Sequence, residues 1–235
     1  MALPQLNTTP RYQVKIPSTG KTVRFRPFLV KEQKVLLIAY ESQDKQAIIQ
    51  AMLDTLDSCT EGISAAKLST FDADYLFTQI RAKSVGEVVD LNIQCTECET
   101  HNEVKVNLED IKMKVPKKDM DVQLTDQITM KMKYPDYNYF LKNPKILGND
   151  SMAESLVDIV IACIESVKTD DEIINISDEP REEVIRFIES LTANQFEKVA
   201  SFVQDIPKME HTLKFKCINC EHENERHLEG LEDFF

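Results

Sequence analysis

Apolar and polar residues alternate across Tyr12-Gln-Val-Lys-Ile16 and again across Thr22-Val-Arg-Phe-Arg26, with Pro17-Ser-Thr-Gly20 between them. A period of two on either side of Pro/Gly turn chemistry predicts a β-hairpin. Pro27 ends it, and the spacing then changes to the helical period. The pattern predicts helices over Val30 to Tyr40, about Asp44 to Ser58, and Thr70 to a stop near Gly86. In the second, Ile48, Ile49, Met52, Leu53 and Leu56 follow helical spacing; in the third, Tyr75, Leu76, Phe77 and Ile80 point inward. Val88 to Ile93 and Val104 to Leu108 read as strands. Residues 110–119, rich in lysine and holding Pro116, read as a linker.

A further hairpin is expected over Asp121 to Leu124 and Ile128 to Tyr134, with Ile128, Met130, Met132 and Tyr134 on one face. A short aromatic helix (Tyr137, Tyr139, Phe140) lies between Pro135 and Pro144. The second half reads as helical. Ser151-Met-Ala-Glu154 has the form of a capping box before Leu156, Val157, Val160, Ile161, Ile164 and Val167. Ser177 or Asp178 is placed to cap a helix with Pro180 in its first turn and Val184, Ile185, Ile188 and Leu191 inward. Thr192-Ala-Asn-Gln195 is a second capping box, Pro207 ends its helix, and His211 to Phe215 is a strand. The fold class expected is α+β: a helix-rich body with an N-terminal β-hairpin and a split, zinc-ribbon-like pair of β-knuckles. The expected divisions are 1–87 (hairpin and helices), 88–109 (first knuckle), 110–210 (hairpin and helical insertion) and 211–235 (second knuckle and acidic tail).

The knuckles rest on the cysteines. Cys95-Thr-Glu-Cys98 and Cys217-Ile-Asn-Cys220 each follow a strand and precede a second strand-like segment, and Asn102-Glu103 and Asn224-Glu225 stand at matching positions after them. The same strand–knuckle–strand unit therefore occurs twice. Two facing knuckles complete a tetrahedral four-thiolate site, with Zn–S near 2.3 Å. Such a closed site has no open position and is structural. Zinc at Cys95, Cys98, Cys217 and Cys220 is the reading favoured here; reduced cysteines without metal, iron, or a redox dithiol are the alternatives. Compact ribbons place their pairs roughly 15–20 residues apart. Here residues 99–216 intervene, which requires a split ribbon. A thioredoxin-like motif fits poorly, because these cysteines sit between strands and not at a helix N-terminus. Cys59 and Cys163 fall in apolar helical patterns and read as core thiols. His101 and His222, just past the second cysteine of each pair, could replace a sulfur ligand but read as exposed turn residues; His211 and His227 flank the second knuckle, where solvent-exposed strand positions explain them equally well.

Composition narrows the function. Five glycines (Gly20, Gly62, Gly86, Gly148, Gly230) are too scattered for a dinucleotide fingerprint or a phosphate loop. The net charge is -12. Residues 1–50 hold eight Lys/Arg against three acids, so that segment is +5 and the remainder -17. An acidic balance disfavours binding to nucleic acid by bulk charge, and opposite-charged ends can steer a partner or a second copy of the chain. No stretch approaches a membrane span of ~20 apolar residues, and Met-Ala-Leu-Pro-Gln-Leu-Asn lacks the form of a secretory signal. Synthesis in a reducing cytosol, with paired cysteines pointing to metal before disulfides, is the expectation. No nucleophile motif surrounds the Ser, His and Asp residues; the acids around Asp119, Asp121 and Asp126 read as solvated, and the expectation is that the chain is not an enzyme.

Several longer strings carry a resemblance. They are Arg26-Pro-Phe-Leu-Val-Lys-Glu32; Phe71-Asp72 before Tyr75-Leu76-Phe77; Ile80-Arg-Ala-Lys-Ser-Val-Gly-Glu87; Ser190-Leu191 with Gln195-Phe196; Pro207-Lys-Met209 with His211; and Leu228-Glu-Gly-Leu231 with Asp233-Phe-Phe235. Together they resemble the base-plate proteins of T4-like contractile-tailed bacteriophages, described as base-plate hub subunits or hub-assembly chaperones. The resemblance implies a non-enzymatic role in tail assembly, in the host cytoplasm and at the virion tail base plate. Its implied partners are other tail hub proteins or the tape-measure protein, with neither nucleic acid nor membrane involved. The competing reading is a zinc-ribbon nucleic-acid-binding or regulatory module. It needs a basic face, yet Glu97, Glu99, Glu103, Glu221, Glu223 and Glu225 crowd the knuckles.

Overall fold

The computed structural model describes residues 9–113, 115–144, 146 and 152–230. In chain order the elements are β1 (Tyr12–Lys15), β2 (Thr22–Phe25), α1 (Val30–Ser42), α2 (Lys45–Cys59), α3 (Thr70–Val85), β3 (Val88–Gln94), β4 (His101–Asn107) and β5 (Lys112–Met113). There follow β6 (Asp121–Gln123), β7 (Thr129–Met132), α4 (Tyr137–Lys142), α5 (Met152–Ala162), β8 (Ile164–Lys168) and β9 (Ile173–Asn175). The last are α6 (Arg181–Glu189), α7 (Ala193–Gln204), β10 (Met209–Lys216) and β11 (Glu223–Glu229). The class is α+β: seven α-helices with small antiparallel sheets among the described residues. No helix there is long and apolar enough to cross a membrane.

The chain forms two units: residues 1–115 with 207–235, and residues 116–206. In the first, the β1–β2 hairpin is tied to the helices by Arg26. Its guanidinium donates to Pro27 O, to Glu32 Oε1 and to Ser58 O, while its backbone N–H donates to Cys59 O. Glu32 in turn accepts the Leu29 N–H at 2.8 Å, which satisfies an orphan donor at the start of α1. Asp44 caps α2 by accepting from Gln46 N. At the start of α3 the buried Asp72 carboxylate accepts from Ser18 N, Ser18 Oγ and Ser69 Oγ, pinning the hairpin turn to the helix. The hairpins β3–β4 and β10–β11 each pair over seven residues. Their inward residues Val89, Val106, Leu213 and Leu228 share a core with Ala82 of α3, Leu108 and Met209. The segment read as a linker departs from expectation: Lys112 and Met113 pair with Glu210 and Met209, so β5 is the third strand beside β10. Two residues of pairing are too few to show as a period of two.

The second unit is a four-stranded antiparallel sheet, β6-β7-β8-β9, packed with α5, α6 and α7. Its core joins Met130 and Met132 to Val160, Ile164, Val184, Ile188, Val199 and Phe202. The helix expected to run on through Ile164 and Val167 instead stops at Ala162, and Ile164–Lys168 is a strand. The Cys163 N–H closes the last turn on Ile159 O and Val160 O, and its carbonyl accepts from Lys133 N. Met132 then pairs with Ile164 and Met130 with Val167. Ile164 and Val167 lie three apart, which suits a helix, and pairing with β7 decides the matter. The second half is thus mixed and not simply helical. The cap expected at Ser177 or Asp178 is also absent: those residues belong to a 3-10 turn, and α6 begins after Pro180 with no side-chain cap. Glu182 and Glu183 supply negative charge to its first turn instead. The Thr192–Gln195 capping box is present. The box expected at Ser151–Glu154 and the Phe234-Phe235 tail lie outside the described side chains.

Candidate metal centre

The two knuckles are built alike, residue by residue. Cys95 N donates to Thr100 O and Glu99 N to Cys95 O; Cys217 N donates to His222 O and Glu221 N to Cys217 O. Glu99 and Glu221 hold the left-handed conformation, at φ 57° and 59°. That backbone reversal, just after the second cysteine of each pair, turns the chain back so that it can enter the return strand. Amide N–H groups point at the sulfurs, from Glu97 to Cys95 Sγ and from Asn219 to Cys217 Sγ, each at 3.5 Å.

The structure brings all four sequence-predicted sulfurs together, with every pair within 4.8 Å. Cys95 Sγ lies 3.7 Å from Cys220 Sγ, and Cys98 Sγ 3.6 Å from Cys217 Sγ. Four sulfurs at ~2.3 Å from a central zinc would be ~3.8 Å apart, whereas a disulfide needs ~2.05 Å. The spacing fits a tetrahedral cation site and not a pair of disulfides. Cys95 and Cys217 are buried, Cys98 half-buried and Cys220 exposed.

Buried asparagines clasp the knuckles to each other. Asn102 donates to Thr100 O in its own turn and accepts the Ile218 N–H of the other at 2.9 Å. Asn224 donates to His222 O and accepts the Thr96 N–H at 2.9 Å. It also accepts from Thr96 Oγ1 and directs its amide N–H to Cys95 Sγ at 3.4 Å. Asn219 Nδ2 reaches Cys98 Sγ at 3.7 Å. The repeat of Asn102 and Asn224 at one offset is visible in the sequence, but their clasping role is not, because each acts on the other knuckle.

The thiols do not share one acidity. Hydrogen bonds from the Thr100 side chain and backbone bring Cys98 down to about 6, helped by Cys220 and Asn219. At Cys95 burial raises the thiol, but N–H groups of Cys98, Glu97 and Asn224 outweigh it and the net direction is down. A hydrogen bond with the His222 backbone lowers Cys220, yet the sulfurs of Cys98, Cys95 and Cys217 together push it up to about 12. The cluster forms its first thiolate easily and resists its last. A divalent cation supplies the charge that lets all four ionise. The residues present therefore fit a bound metal.

The remaining cysteines and histidines stand apart. Burial pushes the Cys59 thiol to about 11 and the Cys163 thiol to about 12, so both are core thiols. His101 faces Asn92 Oδ1 and Gln94 Nε2, and His222 is exposed; neither joins the sulfur cluster. Glu97, Glu99, Glu103, Glu221, Glu223 and Glu225 are all exposed, so the surface of the knuckles is acidic.

Fold and centre together define an α+β protein whose hairpins β3–β4 and β10–β11 meet in a four-cysteine cluster. Residues 9–235 match the family described as T4 bacteriophage base plate protein. The chain belongs to that family, and its role is a structural one in the phage tail. No curated protein and no solved structure matches it.

Proposed function

We propose that this base plate protein is a hub subunit or hub-assembly chaperone, working by protein–protein binding, with one structural zinc on Cys95, Cys98, Cys217 and Cys220. The convergence of four sulfurs at tetrahedral spacing carries the metal assignment. Zinc would supply the charge that ionises the set, and the knuckle residues would orient the sulfurs through N–H groups and the asparagine clasp. A two-hairpin unit has little core of its own, and structural zinc contributes ~10–16 kcal/mol of folding free energy in small domains. The hairpins β3–β4 and β10–β11 would be closed in this way, although residues 116–206 form a separate unit between them in sequence. Four thiolates leave no position for substrate or water, which argues for a non-enzymatic role. The acidic knuckle surface argues against nucleic acid as the partner.

The test is capture of tagged protein from infected cells, with mass spectrometry of its partners and of purified virions. Recovery of hub or tape-measure proteins supports the reading. Presence in virions then marks a subunit, and absence from them marks a chaperone acting in the host cytoplasm. Recovery of no tail component overturns both.

A further inference from the structure

Helix α1 is apolar on the side that faces solvent. Ala39 and Glu32 are its buried positions, while Val30, Leu37, Ile38 and Tyr40 are between 55% and 79% exposed. Val30 and Leu37, seven residues apart, share one stripe, with Lys34 between them and Ile38 beside it. A helix with large apolar residues on both sides belongs in an interior or an interface. Lys31 and Lys34 flank the stripe. Lys31 reaches Glu32 at 3.4 Å, and Lys34 has no ion pair among the described residues.

The matching surface lies on the knuckles. Ile218, in the second turn, is 79% exposed. Glu97, Glu99 and Glu223 are exposed around the two turns and have no ion pair among the described residues. One surface is an apolar stripe with a basic margin; the other is an apolar point with an acidic margin. Both are open in a single copy, so neither covers the other within one chain.

We propose that α1 of one copy docks on the knuckle tips of a second copy, Lys31 and Lys34 facing Glu97 and Glu223, and Val30 and Leu37 covering Ile218. Two different patches meet, so the contact is heterologous and repeats from copy to copy, closing into a ring or extending into a chain. The contact needs the knuckles folded; it requires neither that the metal be zinc nor that the protein belong to the hub.

The test is sedimentation of the metal-replete full chain over a range of concentrations. Added salt is a poor probe, because it screens the local attraction and the repulsion between copies of net charge -12 alike. Charge reversal is a better one. Lys31→Glu with Lys34→Glu, and separately Glu97→Lys with Glu223→Lys, should each weaken self-association by about tenfold or more, since like charges then face each other. A mixture of the two variants should associate again. Leu37→Asp should also abolish association on its own, yet its intact knuckles should still accept the intact α1 of the Glu97→Lys/Glu223→Lys variant, so that this pair forms a dimer. All these positions are exposed, and unchanged circular dichroism and metal content would show the fold intact. A protein that is monomeric throughout, or charge variants that associate as the parent does, would overturn the proposal, as would a mixture that stays monomeric. A monomer that instead binds an acidic amphipathic helix would assign α1 to another protein.

Discussion

Replacing Asn224 by alanine tests the clasp that joins the knuckles. The side chain is buried and makes four contacts: it accepts from Thr96 N and Thr96 Oγ1, and donates to His222 O and Cys95 Sγ. A neutral hydrogen bond contributes about 0.5–1.5 kcal/mol net, and one to an ionised group about 1.5–3 kcal/mol. Thr96 is exposed, so water can take over part of its share. The contact to the Cys95 thiolate and the His222 carbonyl are then the terms that persist, about 2–4 kcal/mol together. Residues that orient metal ligands typically alter affinity by 10–100-fold, or about 1.4–2.7 kcal/mol, which overlaps the lower part of that range. Competition with a chromophoric chelator should show zinc retained about 10–100-fold less tightly, with a lower thermal midpoint. Asn224→Asp separates the contributions. It keeps an acceptor for Thr96 N but loses the N–H to sulfur and adds a negative charge beside the thiolates, so it should retain zinc no better than the alanine variant. Unchanged chelator competition and thermal midpoint in Asn224→Ala would refute the reasoning.

Three further outcomes follow from the packing and charges. Phe202 is fully buried in the second unit and stacks on Tyr134 at 5.7 Å, so Phe202→Ala should cost about 3–5 kcal/mol in chemical denaturation; a loss below about 1 kcal/mol would contradict the core as described. At Glu32 burial raises the carboxyl, but the Arg26 hydrogen bond and the Leu29 N–H outweigh it and hold it below the usual range. A depressed folded value means stability present above the unfolded value of about 4.3 and lost as pH falls through the folded one. The difference in urea midpoint between the parent and Glu32→Gln should therefore be full near neutrality and shrink below about pH 4; a constant difference across that range would be evidence against the pairing. Asp72→Ala removes the acceptor for Ser18 and Ser69 and should cost about 2–4 kcal/mol, with no midpoint change counting against the role assigned to it.

Local chemistry was easiest to read in the sequence. Pro17-Ser-Thr-Gly20 gives a hairpin, Thr192-Ala-Asn-Gln195 a capped helix, and the matched Cys-x-x-Cys units a single cluster. Errors arose where a distant partner decided the outcome. Ile164 and Val167 fit a helix as well as a strand, and the ladder with β7 chose the strand. Met113 pairs with Met209 from the far side of the whole second unit in sequence, and leaves no periodic trace. Asn102 and Asn224 each bond a backbone amide in the other hairpin, so spacing alone could not assign them a role. The apolar character of α1 is plain in Val35-Leu-Leu-Ile38, but sequence does not show that much of it faces solvent.

The central claim, a structural metal closing the two knuckles, is tested most directly by elemental analysis and native mass spectrometry of the purified full chain. The account predicts about one zinc per chain, released by chelator together with a large fall in the thermal midpoint, and lost in Cys95→Ser. Metal-free protein with four reactive thiols and an unchanged midpoint after chelation would contradict it.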